Sequence, residues 1–260
     1  MKTVFHLHMV RRVVVTTTTI PTRENSVQKM IQSLKSGTVQ PDAIYVNLPL
    51  WYPRFKCGPD PNLGTKLIDM GVNVNYCKDY GVLTKLLPIL EIEKDPETLL
   101  VILDDDMIYQ PRFLEGLLKG YDEFKCPVGY SGLAYPETTM RLWGKLGYCL
   151  FQGHGNETEM LECAFGMLIP RKDMDGFPHI DPLTETSEKY VYLSDDYLYT
   201  KHLEHKGIKK KVVCYPWAGR KGDDWSTIWV QEPESQTHAL SRDDNNLYNF
   251  MMAGLRVKFV

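Results

Sequence analysis

The stretch Leu99-Leu100-Val101-Ile102-Leu103-Asp104-Asp105-Asp106-Met107 decides the fold. Five apolar residues run straight into three adjacent carboxylates. An unbroken apolar run of this length reads as a strand buried on both faces, as in the middle of a parallel sheet. Carboxylates do not belong in such a core, so Asp104 to Asp106 are expected just past the strand's carboxyl end, where ligands bind in open α/β sheets. No lysine or arginine follows until Arg112. A bound divalent cation is therefore the expected neutralising partner, and hard oxygen ligands suit Mg²⁺ or Mn²⁺. The competing reading is an acidic turn that caps the next helix.

Around this segment, strand and helix signals alternate. Val13 to Ile20 is nearly all β-branched and reads as a strand that Pro21-Thr22-Arg23 ends. A helix is expected from Glu24 to Lys35, with Val27, Met30, Ile31 and Leu34 at helical spacing and Gly37 as its stop. Ala43 to Asn47 and Val72 to Tyr76 are further strands, and Leu63 to Met70 is a short helix. Between them, Leu48 to Pro61 is a loop rich in Pro, Tyr and Trp. Gly81 to Ile92 reads as one helix, kinked by Pro88. This pitch argues for βαβ units and a mainly parallel sheet. The second half is less regular. Pro111 to Tyr121 looks helical, Val128 to Leu133 and Leu161 to Ile169 look like strands, and Glu137 to Gly153 fits either a hairpin or irregular loops. Val191 to Leu193 leads into Ser194-Asp195-Asp196 and a helix that Gly207 stops, and Lys211 to Tyr215 is a late strand.

The bulk composition fits an enzyme-sized α/β chain. It has 260 residues, 43% of them hydrophobic, enough for a substantial core in a single domain over 1–260. A net charge of −3 gives no electrostatic case for nucleic acid or a membrane surface, and the basic run Lys206 to Lys211 reads as a solvated face. The six cysteines show no Cys-x-x-Cys spacing, so neither a zinc site nor a disulfide framework is expected. Reduced thiols, a poor signal-peptide pattern over Met1 to Val10 and no apolar segment near the roughly 20 residues of a membrane span point to a soluble cytoplasmic protein. Asn156-Glu157-Thr158 matches a glycosylation acceptor but means little without a secretion signal.

Asp195-Asp196 forms a second acidic cluster, again after a strand-like run. In a wound sheet two such ends can meet in one cleft, one holding a metal and the other supplying a base. Helix capping is the plainer alternative, because the helix dipole favours Asp in a first turn.

Taken in order, Thr19-Ile20-Pro21-Thr22-Arg23, Asp104-Asp105-Asp106 as an Asp-x-Asp motif, and Ser194-Asp195-Asp196 before a late helix make the chain resemble the GT-A type glycosyltransferases, which use nucleotide sugars. A narrower resemblance is to small single-domain transferases of large algal viruses, including a xylosyltransferase. The resemblance implies a Rossmann-like α/β fold, with a donor half over about 10–106 and an acceptor half over 107–260. It implies a UDP-sugar donor, a carbohydrate acceptor, and Mn²⁺ or Mg²⁺ on Asp106, with Asp104 on the ribose and Asp105 beside the nucleotide. Pro21 and Arg23 would border the nucleotide, Thr19 would offer its hydroxyl to the base, Asp79 would meet the uracil edge, and Lys85 would lie near the nucleotide. Lys85 equally reads as a solvent-facing helix residue. Asp196, with Asp195 beside it, would be the general base of an inverting displacement. His238 in Gln236-Thr237-His238-Ala239 is the expected remaining metal ligand, with His154 and His179 as competitors in acceptor loops. One departure is Asn47-Leu48-Pro49, where many relatives carry an acidic residue, although an amide can also bind uracil. Trp217, Trp225 and Trp229 suit an acceptor site or ordinary packing, and Gly219-Arg220-Lys221-Gly222 a phosphate-closing loop or a plain turn. A metal-dependent nucleotidyltransferase is the alternative enzyme, but Thr19 to Asn25 has no glycine for a phosphate loop. A binding protein that kept the fold without catalysis would not need two acidic clusters.

Overall fold

The computed structural model describes residues 11–133, 153–178, 195–214 and 229–231. Its strands are β1 (Val13–Thr18), β2 (Ala43–Pro49), β3 (Asn73–Cys77), β4 (Leu99–Ile102), β5 (Met107–Tyr109), β6 (Val128–Gly129), β7 (Gly132–Leu133), β8 (Met160–Leu161), β9 (Met167–Pro170), β10 (Lys211–Val212) and β11 (Trp229–Gln231). Its helices are α1 (Glu24–Lys35), α2 (Leu63–Asp69), α3 (Leu87–Ile92), α4 (Phe113–Phe124) and α5 (Asp195–His205). Seven strands form one sheet in the order β10-β6-β9-β4-β1-β2-β3. β3, β2, β1 and β4 are parallel neighbours, and β9 runs antiparallel between β4 and β6. The expected mainly parallel α/β sheet is what forms.

The side chains of β1 and β4 explain why these strands sit at the centre. Val13 and Val15 pack with Leu99, Val101 and Leu103 against α1, α2 and α4. Val14, Leu100 and Ile102 point the other way, onto α3 and α5. Alternation puts successive residues on opposite faces and both faces are dry, so β4 is an unbroken apolar run, while the buried Thr16 and Thr17 of β1 donate their hydroxyls to the Lys85 and Leu103 carbonyls.

Several expected elements are subdivided. Gly81 to Ile92 is a 3-10 turn over Gly81–Lys85 followed by α3, and Pro88 lies in the first turn of α3, where its missing N–H costs nothing. Val128 to Leu133 divides between β6 in the large sheet and β7, which pairs with β8. Leu161 to Ile169 is broken by a 3-10 turn at Cys163–Phe165 and by Gly166 at φ +89°. A Cβ at Gly166 would collide with the Phe113 ring, so glycine is required there. β5 follows the acidic segment directly and pairs antiparallel with β11, bringing Trp229 opposite Tyr109 in register. Among the described residues, no helix is long and apolar enough to cross a membrane, and Cys57, Cys77, Cys126, Cys163 and Cys214 are free thiols.

Candidate active site at the carboxyl ends of the central strands

The two acidic clusters meet, and Lys85 joins them. Its ammonium pairs with Asp104 beyond β4 and lies 2.6 Å from Asp195 Oδ2 at the start of α5. Lys85 is buried, which corrects the solvent-facing reading and also its placement in a long helix. Burial opposes the ammonium's charge, yet Asp104 and Asp195 outweigh it and raise its pKa well above the ordinary lysine value.

A polar rail fixes the Lys85 backbone. Thr16 Oγ1 donates to the Lys85 carbonyl at 2.5 Å, and Asn47 Nδ2 donates to the same carbonyl at 3.2 Å and to Thr16 Oγ1 at 3.1 Å. Asn75 Nδ2 donates to Asn47 Oδ1 at 2.9 Å. The Asn47 amide, which departs from the acidic residue many relatives carry, is engaged inside the sheet by Thr16, the Lys85 carbonyl and Asn75.

Arg23 is the second internal cation, set by the 3-10 turn Pro21–Arg23 after β1. Its Nη1 lies 3.2 Å from Asp105 Oδ1 and 3.3 Å from Asp106 Oδ2. Asp105 turns inward, where its Oδ2 accepts from the Thr19 hydroxyl at 2.7 Å. That hydroxyl is thus aimed at Asp105 rather than at a nucleobase. Burial pushes the Asp105 carboxyl up to about 6 against the pull of Arg23, with Asp106 adding to the rise and Thr19 opposing it. Asp106 and Asp105 are both about 5% exposed, while Asp104 is more open. No basic residue follows the cluster closely in sequence, but Lys85 and Arg23 arrive from distant parts of the chain to pair with these carboxylates.

Asp195 and Asp196 open α5, as expected for its first turn. Asp196 Oδ1 accepts from the Cys163 N–H at 2.7 Å. Burial and the neighbouring Asp195 carboxylate raise the Asp196 pKa well above the usual range, with Lys85 and the Cys163 N–H acting the other way. The helix dipole therefore does not dominate this carboxyl.

Three contributors escaped the sequence reading. The Thr16–Asn47 pair anchors Lys85. Cys163 places its thiol within 4.8 Å of carboxylate oxygens of Asp195 and Asp196, though burial holds that thiol protonated. Glu162 is hydrogen-bonded by Ser131, and its pKa is raised by burial, with Asp104 contributing. The available signal for Glu162 was a carboxylate inside an apolar stretch, the same signature that marked Asp104.

Asp79 lies just past β3, where its Oδ1 accepts the Gly81 N–H at 2.8 Å. His154 is set aside as a metal ligand, because it sits beside Glu123 at 3.0 Å with its Nδ1 accepting from the Cys214 N–H at 3.1 Å. Residues 134–152, His179, Val191 to Ser194, Trp217, Gly219 to Gly222, Trp225 and His238 lie outside the described residues. A cavity of about 370 Å³ beside Arg11, Glu97 and Lys172 opens at the amino ends of the strands, away from the carboxylates.

No family model matches the sequence, and no curated protein aligns with it. Solved structures do match the fold. S. aureus TarS 1-349 superposes with a TM-score of 0.54 at 10% identity, covering 85% of this chain and 60% of that one. Glucosyl-3-phosphoglycerate synthase from Mycobacterium tuberculosis, in complex with Mg²⁺ and uridine-diphosphate, superposes with a TM-score of 0.51 at 15% identity, covering 76% of this chain and 66% of that one. In another complex of that synthase, this chain spans 59% of the matched protein's length. At these identities the likeness establishes architecture: the chain has the GT-A type α/β fold.

Proposed function

We propose that this chain is a metal-dependent glycosyltransferase, moving a hexosyl or pentosyl residue from a UDP-sugar to a carbohydrate acceptor with inversion. The observation that carries the reading is the Lys85 bridge, which joins the acidic end of β4 to the acidic start of α5. A donor site and a proton acceptor in one cleft are what a direct displacement requires. The fold neighbours support the class, since one was crystallised with Mg²⁺ and uridine-diphosphate.

The donor set fits a hard divalent cation. Five carboxylates (Asp104, Asp105, Asp106, Asp195 and Asp196) gather around two cations, Lys85 and Arg23. Negative charge remains in excess, carried on oxygen donors. Asp106, with His238 from the C-terminal region, would hold Mn²⁺ or Mg²⁺. When bound, the cation supplies Lewis-acid neutralisation of the donor's diphosphate. The thiol of Cys163 and the neighbouring ammonium make the start of α5 a poor place for that ion.

The chain's own residues divide the remaining work. Pro21, Arg23, Thr19 and Asp79 border the nucleotide, and Asp104 accepts from the ribose. Lys85 adds positive charge beside the leaving diphosphate. Asp105 holds Arg23 and Thr19 in place. Asp196 takes the acceptor hydroxyl proton; a carboxylate raised above its usual range is a stronger base for that step. The donor half spans about 10–106 and the acceptor half 107–260.

A thermal-shift panel of nucleotide diphosphates with Mn²⁺ tests the reading. UDP and UDP-sugars are expected to stabilise the protein by about 2.7 kcal/mol at ~100-fold saturation, and GDP, CDP and ADP to do much less. A clear preference for GDP overturns the donor assignment, and no response to any nucleotide overturns the class.

A further inference from the structure

The two edges of the seven-stranded sheet are finished differently. At one edge, β10 is overlaid by residues 155–158: Gly155 N–H donates to the Val212 carbonyl at 2.9 Å, Val212 N–H to the Asn156 carbonyl at 3.0 Å, and Thr158 N–H to the Lys210 carbonyl at 3.1 Å. At the other edge, β3 has β2 on one side and, among the described residues, no strand on the other. The Cys77 carbonyl accepts from the Leu50 N–H at 3.1 Å on the β2 side, which fixes the parity of the ladder. Asn73, Asn75 and Cys77 therefore bond to β2, and Val74 and Tyr76 turn their N–H and C=O groups outward. Sheet edges are normally blunted by a lysine, a proline or a bulge. Asn73-Val74-Asn75-Tyr76-Cys77 has none of these, and its register with β2 is unbroken.

This edge is also apolar. Leu50, Trp51, Ile68 and Tyr76 are four of the five large apolar residues left exposed among the described residues. Leu50 and Trp51 follow β2 at the carboxyl end of β3. The Tyr76 hydroxyl lies over Gly64 of α2, and Ile68 is one turn further along that helix, toward the amino end of β3. Exposed apolar surface gathered in this way marks an interface.

We propose that the occupant is a second copy of this chain, whose β3 pairs antiparallel with this one about a two-fold axis at Asn75. The strand is self-complementary in that register. Val74 stands opposite Tyr76 of the second copy, and Tyr76 opposite its Val74, so each outward N–H and C=O finds a partner. The same pairs set an aromatic ring against a β-branched side chain. The charges agree. Asp69 lies before the amino end of β3 and Lys78 follows its carboxyl end, so antiparallel pairing brings each toward the opposite charge of the second copy. An isologous contact of this kind closes at two copies.

Sedimentation equilibrium of the full chain, from micromolar concentration to about 1 mM, measures the association. A monomer–dimer equilibrium is expected for the wild type. Lys78→Asp is expected to weaken the dimer roughly tenfold, and Lys78→Asp combined with Asp69→Lys to restore it. Tyr76→Lys puts a charge on the edge and is expected to leave only monomer, with the circular dichroism of the wild type. The charge swap carries the test if Tyr76→Lys fails to fold. A wild type that stays monomeric throughout overturns the proposal. Association that Tyr76→Lys and Lys78→Asp both leave unchanged places the contact elsewhere and overturns it too. A charge swap that fails to restore the dimer overturns the antiparallel register.

Discussion

Lys85→Met takes away the cation that Asp104 and Asp195 share. Two buried or half-buried carboxylates would then face each other without it. Removing one partner of a buried ion pair costs about 3–5 kcal/mol, so a large drop in Tm is expected. The variant should also lose roughly 10² or more in kcat/KM, and acid should partly restore its Tm, though not its activity, as the unpaired carboxyls protonate. A pH profile parallel to the wild type would show that Lys85 acts on neither carboxylate. Acidic residues at strand ends were legible because carboxylates cannot sit in a core. Their partners were not: Lys85 and Arg23 are remote in sequence, and only the folded sheet shows that they reach the same point. The same limit hid the Thr16–Asn47 support, since a buried amide looks identical in sequence whether it faces a ligand or a backbone carbonyl.

Among the elements, α5 carries a pH-sensitive packing contact. His202 is buried beside the Asp173 carbonyl, its ring edge-on to Phe177, and burial with nearby Lys206 lowers its pKa from 6.5 to about 4. A depressed folded-state value means that the stabilisation is present above about 6.5 and is lost as the pH falls toward 4. Asp105 works in the opposite sense: its value is raised to about 6, so its stabilisation is lost as the pH rises from 3.8 toward 6. The two must be separated by difference. Between pH ~7 and ~4.5, the wild type is expected to lose more Tm than His202→Gln; equal losses would show that the folded-state pKa of His202 is not depressed. Helices such as α1 were legible from spacing alone, because an amphipathic face and a glycine stop fix both ends. The short pieces around Gly166 were not. Their breaks come from the Phe113 ring and the change of sheet, which are tertiary facts.

For the molecule as a whole, the central strands could be placed from sequence because burial on two faces leaves a distinctive apolar run. The antiparallel insertion of β9 between β4 and β6 could not, since strand direction leaves no mark in composition. The assembled sheet gathers carboxylates from β4's end and α5's start beside two internal cations, with negative charge left over. The most direct measurement is the heat of UDP binding to the wild type with Mn²⁺, to the wild type in EDTA, and to Asp106→Ala with Mn²⁺. Tight binding only in the first case, weakened at least ~10-fold in the other two, is the predicted result. Equal UDP affinity in EDTA would contradict a metal-bridged donor site at Asp104 to Asp106.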